Sequence, residues 1–413
     1  MMGEFTLAGE PSSWFINGAG GGITKAGVSF NEETAKRFTA VFGCIRILSE
    51  TLASMPCILY KERDPGNKRG GKDRATGHPL YDILKTAANE ELPAYNLKET
   101  MMNHCTSSGN CYAQIVRSRR GEILSLNLLP WNVTDVRRNI DTYKLEYTTN
   151  DRGKTVVLPY SEVFHVPGLG YDGIKGYSPI KMAMEAIGLG LAAETFASNF
   201  YGQGTHLGGV LKHPGTLGEI AHKNLKNDFQ NKYKGLYNSH EIPILEEGME
   251  FVQLGIKPEE AQFIETRRFQ LEEVARIYRV PLHMLQDLER STNNNIEHQS
   301  LEFIMYTMLP WFTRWEQMIN FKLLSKKERM EGYHAEFLVN ALLKGDTKSR
   351  ATMLHMMRQD GIINADDWRE LENMNPQDNN VGKYYFINGN MIPVEIAAQQ
   401  QPKQAQQLPQ EGE

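Results

Sequence analysis

The chain has 413 residues, 40% hydrophobic and 23% charged, an ordinary globular composition that suits two or three domains with a sizeable core. Its formal net charge of −5 excludes the basic excess that grips phosphate backbones, so tight sequence-specific binding of nucleic acid is disfavoured. A wall past which nucleic acid slides would also do without a strong positive field.

Four cysteines, Cys44, Cys57, Cys105 and Cys111, follow no Cys-x-x-Cys spacing and read as reduced, buried and structural. Neither a signal peptide nor a run of about 18 apolar residues is present, so a cytoplasmic site of synthesis and no membrane are expected.

Residues 1 to 26, with "NGAGGG" at 17 to 22, read as a mobile N-terminal arm. "NEETAKRFTAVFGCIRILSETLASMP" (31 to 56) opens on an asparagine cap followed by Glu32 and Glu33, and its apolar spacing predicts one amphipathic helix ending at Pro56. "CILYKE" predicts a strand, and the basic, glycine-rich stretch 63 to 74 an exposed loop. Helices are expected near 79 to 87 and 96 to 108. From Asn110 to Pro167, short segments such as "CYAQIVRS", "EILSLNLL" and "EVFHV" predict a β-rich region inside a largely helical chain.

Residues 178 to 204 carry Ser178 as N-cap, Pro179 at the first helical position, and Gly202 and Gly204 as the stop. Lys181, Glu185 and Glu194 are the charges between, and Ile187, Gly188, Gly190 and Ala193 offer apolar and small surfaces for close packing. A helix apolar nearly all round needs neighbours. Residues 205 to 256 form a polar insertion of a strand ("GGVLKH"), a charged helix (216 to 237) and two further strands. The helix over 257 to 280 places Pro258, Glu259 and Glu260 at its start and Arg276 and Arg279 at its end, as the macrodipole favours. Ile264, Leu271, Val274, Ala275 and Tyr278 form its apolar stripe.

"ERSTNNN" (289 to 295) is a polar hinge between two long helical patterns. The second, 296 to 326, has Pro310 in its interior, which predicts a kink near Tyr306 to Leu309; Trp311 and Trp315 fall on one core-facing side. "YHAEFLVNALLKGD", with helices over 346 to 360 and 364 to 373, reads as a small C-terminal module. A Gln- and Pro-rich tail follows, expected to be disordered.

No nucleophile elbow, phosphate loop or His-Glu-x-x-His appears, so no catalysis and no cofactor are expected. His104, Cys105 and Cys111 are a fragment of a metal signature without a fourth ligand, and support only an alternative reading as a soluble metal-dependent or nucleic-acid-processing enzyme.

"TAVFGCIRILSETLASMP" (39 to 56), "NCYAQIVRSRRGEILSLNLLP" (110 to 130), "GYSPIKMA" (176 to 183) and "EEVARIYRVPLHMLQDLERSTNNNIEHQSLEFIMYTMLPW" (272 to 311) together resemble the portal proteins of tailed bacteriophages, in the siphophage family of the Hong Kong ninety-seven type. The resemblance spans residues 30 to 375. It implies an α+β, mainly helical portal fold, assembled as a closed ring of twelve copies in the virion, at one capsid vertex, after synthesis in the host cytoplasm. The ring passes double-stranded DNA non-specifically in packaging and ejection, and docks the terminase large subunit, the major capsid or scaffold protein and head-completion or connector proteins.

Carried over in chain order, the resemblance implies a wing over 27 to 177 and 297 to 340, stem helices over 178 to 204 and 257 to 283, and a clip over 205 to 256. A tunnel-loop region would cover 284 to 296 and a crown 341 to 395, before the tail at 396 to 413. Arg290, Ser291, Thr292, Asn293, Asn294 and Asn295 would then line the DNA channel. Short neutral side chains there would touch phosphates without holding them, whereas a ring of lysines would bind; Arg290 departs from this and would pair with Glu289 or Glu297. Lys223, Lys226, Asn227, Gln230 and Lys234 on the clip helix would face the motor or connector. The apolar and small residues of the two stem helices would pack between subunits.

Overall fold

The computed structural model describes residues 22–65, 71–151, 153–202, 209–212, 214–215, 218–220, 223, 249–253, 260–287, 299–339, 347–372, 374 and 377–386. The chain divides into two units, one ending at Leu338 and one beginning at Val339.

The first unit opens with a hairpin of β1 (Gly22–Ile23) and β2 (Ser29–Phe30). Thr24 closes its turn: the Thr24 N–H donates to Val28 O at 3.0 Å, and the Val28 N–H donates to Thr24 Oγ1 at 3.1 Å. Residues 22 to 26 of the arm expected over 1 to 26 are therefore part of an ordered hairpin.

Helices α1 (Glu32–Arg37) and α2 (Thr39–Ser54) replace the single helix expected over 31 to 56. Asn31 starts α1 as anticipated, its side chain accepting from the Thr34 N–H at 2.7 Å. Phe38 then leaves the helical region (φ −72, ψ 114) and buries its ring, which restarts the helix in a new direction.

Strands β3 (Cys57–Glu62) and β4 (Lys72–Arg74) follow, then α3 (Pro79–Lys85) and α4 (Ala94–Ser108). Gly109 ends α4 in the left-handed region (φ 84). The β-rich region consists of β5 (Asn110–Arg117), β6 (Ile123–Leu129), β7 (Asp135–Arg138), β8 (Leu145–Asp151), β9 (Lys154–Pro159) and β10 (Val163–Pro167). These pair antiparallel into two three-stranded sheets, β10-β5-β6 and β7-β8-β9. Tyr112, Leu129, Val136, Tyr147, Leu158 and Val163 join them in one buried cluster. All four cysteines are buried and free.

Next come α5 (Pro179–Met182), α6 (Met184–Gly202), β11 (Gly209–Lys212), β12 (Glu250–Gln253) and α7 (Glu260–Tyr278). A π turn (Phe303–Met308) leads into α8 (Leu309–Lys322), followed by α9 (Lys326–Met330) and β13 (Tyr333–Phe337). Helix α8 buries Phe312 and Trp315: Trp315 meets Phe164 of β10 edge-on at 6.1 Å, and Phe312 lies 5.1 Å from Phe337 of β13. Trp311 is only half-buried, under the Arg314 guanidinium at 5.4 Å, so the two tryptophans do not share one buried face.

Strand β13 pairs antiparallel with β3, Ala335 opposite Leu59. The stretch "YHAEF", placed by local pattern with the C-terminal module, therefore belongs to the first unit, because its ladder partner lies near the other end of the chain.

The second unit holds α10 (Thr347–Gln359), α11 (Ala365–Leu371) and a 3₁₀ turn (Asp378–Lys383), close to the helices expected there. Asn364 caps α11, accepting from the Asp367 N–H at 2.8 Å. Leu354 and Ile363 are buried within it.

Candidate functional site

The two helices that the resemblance reads as a stem, α6 and α7, pack against each other. The first is fixed at its base. Ser178 Oγ accepts from the Lys181 N–H at 3.3 Å and donates to Ser107 O at 2.8 Å, so the residue that caps α5 also attaches it to α4. Asn110 holds Gly176 from both sides: its Oδ1 accepts from the Gly176 N–H at 2.8 Å and its Nδ2 donates to Gly176 O at 2.9 Å. Ala183 (φ −90, ψ 4) interrupts the helix expected over 178 to 204, dividing it into α5 and α6.

The small residues of α6 meet the chain's own N-terminal segment. A Cβ on Gly188 would lie 2.4 Å from Thr24 Cγ2, and one on Gly190 would lie 2.8 Å from the Phe38 ring. Ile187 is fully buried and Ala193 half-buried. The glycines expected at a subunit contact are thus occupied within one subunit. The Lys25 N–H also donates to Glu185 Oε2 at 3.1 Å.

Along α7, Val274, Ala275 and Tyr278 are buried and Leu271 half-buried; the side chain of Ile264 lies outside the described residues. Tyr278 donates to Thr106 O at 3.2 Å, and burial pushes its phenol well above the usual range. Arg267 and Glu194 join the two helices at 3.1 Å. Leu189 and Phe196 on α6, and Phe269 and Ile277 on α7, remain 45%, 51%, 53% and 38% exposed.

The end of α7 is joined to the π turn. Arg279 adopts φ 55, the left-handed region in which a side chain is strained by about 1 kcal/mol. The Arg279 carbonyl accepts from Thr307 Oγ1 at 2.7 Å, and its Nη1 donates to Tyr306 O at 3.4 Å. Tyr306 stands four residues before Pro310, so its carbonyl is the one an α-helical proline cannot serve. Where a kink is expected, near Tyr306 to Leu309, the structure has a π turn over Phe303–Met308. Beside it, Arg276, Arg279, Pro281, Glu302, Phe303 and Tyr306 border an open groove of about 550 Å³.

The hinge residues Arg290, Ser291, Thr292, Asn293, Asn294 and Asn295 lie outside the described residues, as do Lys226, Asn227, Gln230 and Lys234 of the insertion. Lys223 is described and exposed. Strands β11 and β12 pair antiparallel, Val210 opposite Val252, bringing the two ends of the insertion together.

The metal reading gains no geometry. Cys105 Sγ and Cys111 Sγ both point at Val166 O, at 3.6 and 3.4 Å. Burial pushes His104 down to about 4, and its Nδ1 has no hydrogen-bond partner. Among the described residues no group of three His, Cys, Asp or Glu side chains is placed to hold a metal ion, and no helix is long and apolar enough to cross a membrane.

Sequence reasoning missed that Thr24 and Phe38 meet Gly188 and Gly190, and that Arg279, read only as a charge at its helix end, joins Thr307, since contacts between distant segments leave no local periodic signal.

A family model described as "Phage portal protein" matches residues 39–373. The portal protein of Enterobacteria phage HK97 is 28% identical over 353 residues, covering 84% of this chain and 81% of that protein. The probable portal protein of Streptomyces phage phiC31 is 29% identical over 382 residues, covering 90% and 82%. Among solved structures, an HK97 family phage portal protein from Corynebacterium diphtheriae superposes with a TM-score of 0.54 at 16% identity, over 76% of this chain and 96% of that one. A chain from the neck of a native gene transfer agent particle, computed with C12 symmetry, gives 0.55 at 16% identity, over 88% and 97%.

Proposed function

The chain belongs to the phage portal protein family, and on that premise we propose that twelve copies close into a ring at one capsid vertex, with DNA passing through its centre during packaging and ejection. The observation that carries the ring is the helix pair α6 and α7, which leaves Leu189, Phe196, Phe269 and Ile277 exposed in a single subunit. A head-to-tail ring covers such faces, because every copy presents both halves of the contact. The C12 symmetry of the similar neck chain supports the number of copies.

In this reading the first unit supplies the wing, with α5, α6 and α7 as the stem. The insertion carried by β11 and β12 is the clip, which docks the terminase large subunit and later the head-completion or connector protein. The second unit is the crown, and the wing faces the major capsid or scaffold protein. Residues 290 to 295 line the channel. In the same reading the chain has a structural role, and ATP hydrolysis is left to the docked motor.

The test is the native mass of the full-length protein, with negative-stain images of the same fraction. The expected result is a closed ring with a central hole and twelve times the subunit mass of 46.9 kDa. A stable monomer that stays monomeric with capsid and scaffold proteins present overturns the proposal.

A further inference from the structure

We infer that His283 is a positioning residue that ties together the two ends of the chain flanking residues 288 to 298. The near end is held firmly. Leu285, in the 3₁₀ turn Leu282–Leu285, packs on α2, where a Cβ on Gly43 would lie 3.0 Å from its Cδ2. Gln286 then turns the backbone through the left-handed region (φ 66), and Asp287 meets Arg268 of α7 at 3.4 Å. At the far end the chain resumes as a helical turn at Gln299 and Ser300.

The His283 ring spans the two ends. Its Nδ1 lies 2.8 Å from Gln299 Oε1 and its Nε2 lies 3.4 Å from Ser300 Oγ. One neutral tautomer serves both: Nδ1–H donates to the amide oxygen, and Nε2 accepts from the serine hydroxyl. The ring is only 9% exposed, so neither bond is freely exchanged for water. Two turns further on, Thr307 donates to Arg279 O and repeats the attachment on the outer side of the junction.

The inference rests on the channel reading of residues 290 to 295. In a ring, the height and radius at which each copy presents these residues depend on where the two ends are held. A histidine that joins both ends sets where this segment leaves and rejoins the subunit, while the stem and the π turn stay where their own contacts put them.

The experiment uses assembled full-length rings and four variants. His283→Leu keeps the volume and removes both bonds, Gln299→Met removes the partner, and His283→Asn returns an amide to the position of Nδ1. The fourth, Asn293→Lys with Asn294→Lys, alters the channel residues alone. Hydrogen exchange over 282–287 and 299–303 should quicken about fivefold in the Leu and Met variants and return to wild type in the Asn variant. The DNA packaging rate should fall and recover in the same order.

Unchanged exchange at 299–303 in the Leu and Met variants refutes the tie. Faster exchange with an unchanged packaging rate refutes the positioning role. Normal packaging by the double-lysine ring instead removes the channel reading and leaves the exchange result standing. If the Leu variant does not assemble, the Gln299→Met and His283→Asn pair carries the same comparison.

Discussion

Replacing Gly188 by alanine sets two effects of known size against each other. An alanine inside α6 gains about 1 kcal/mol of helix propensity over glycine. Its Cβ would, however, lie 2.4, 2.7 and 2.9 Å from Cγ2, Cβ and Oγ1 of Thr24. Thr24 Cβ is itself in the clash and does not move with χ1, so no rotamer relieves it, and overpacking of this kind costs about 1–3 kcal/mol. Because Thr24 also closes the β1–β2 turn through Val28, lifting it loosens the whole hairpin. A net loss of about 1 kcal/mol is expected, concentrated in residues 22 to 30. Hydrogen exchange of the Thr24 and Val28 amides reads it directly: both should exchange about fivefold faster while α6 exchanges more slowly. Gly190→Ala should be milder, since the atom it meets first is the tip of the Phe38 ring. A Gly188→Ala protein that gains stability with unchanged exchange at Thr24 would refute the reasoning, and would return Gly188 to a contact between subunits.

Acid should weaken the first unit through His165. Burial, with help from Lys322 and Lys175, pushes it down to about 3; its Nδ1 accepts from the Tyr147 hydroxyl and its Nε2 donates to Asn110 Oδ1, each at 3.1 Å. The unfolded chain then binds the extra proton first, so stability is lost as pH falls below about 6.5, by about 2 kcal/mol at pH 5. Denaturant midpoints at pH 7 and pH 5 check this, and His165→Gln should flatten the difference; an equal pH dependence in both proteins contradicts it. Gly109→Ala should give little soluble protein, because its Cβ would lie 2.1 Å from Tyr177 O at φ 84, whereas Gly121→Ala, at φ 88 in open space, should cost only about 1 kcal/mol. Soluble yield and denaturation of the two variants make the comparison.

The elements best legible in the sequence are those whose causes are local. Asn31 and Ser178 cap helices as read, Pro310 marks the distortion of the long helix, and the alternating segments after Asn110 form two sheets. Phe38 and Ala183 break helices at positions where the apolar period runs on undisturbed, because what draws Phe38 out of the helix is a notch at Gly190 on a distant segment. Pro310 foretells a kink but not its form: the π turn depends on Arg279 and Thr307 meeting across 28 residues. The candidate site is legible in the same proportion. Val274, Ala275 and Tyr278 form a buried stripe within one subunit, and Gly188 and Gly190 there meet Thr24 and Phe38; packing of these residues between copies belongs to the proposal. Nothing in a stretch of histidine, glutamine and serine announces that His283 joins its neighbours across residues 288 to 298.

The pairing of β13 with β3 bears on how a subunit is born. Lys72 of β4 and Glu336 of β13 form an ion pair in the same sheet although 264 residues separate them in sequence. At ribosomal rates of roughly 5–20 residues per second, the gap takes on the order of 13–50 s to translate. Through that interval β3 carries an open edge, and α8 is made only near its end, so the body that anchors the helix pair is unfinished. A chain cut short before Tyr333 would keep the β3 edge unpaired, so closure of this sheet waits on the late arrival of one short strand.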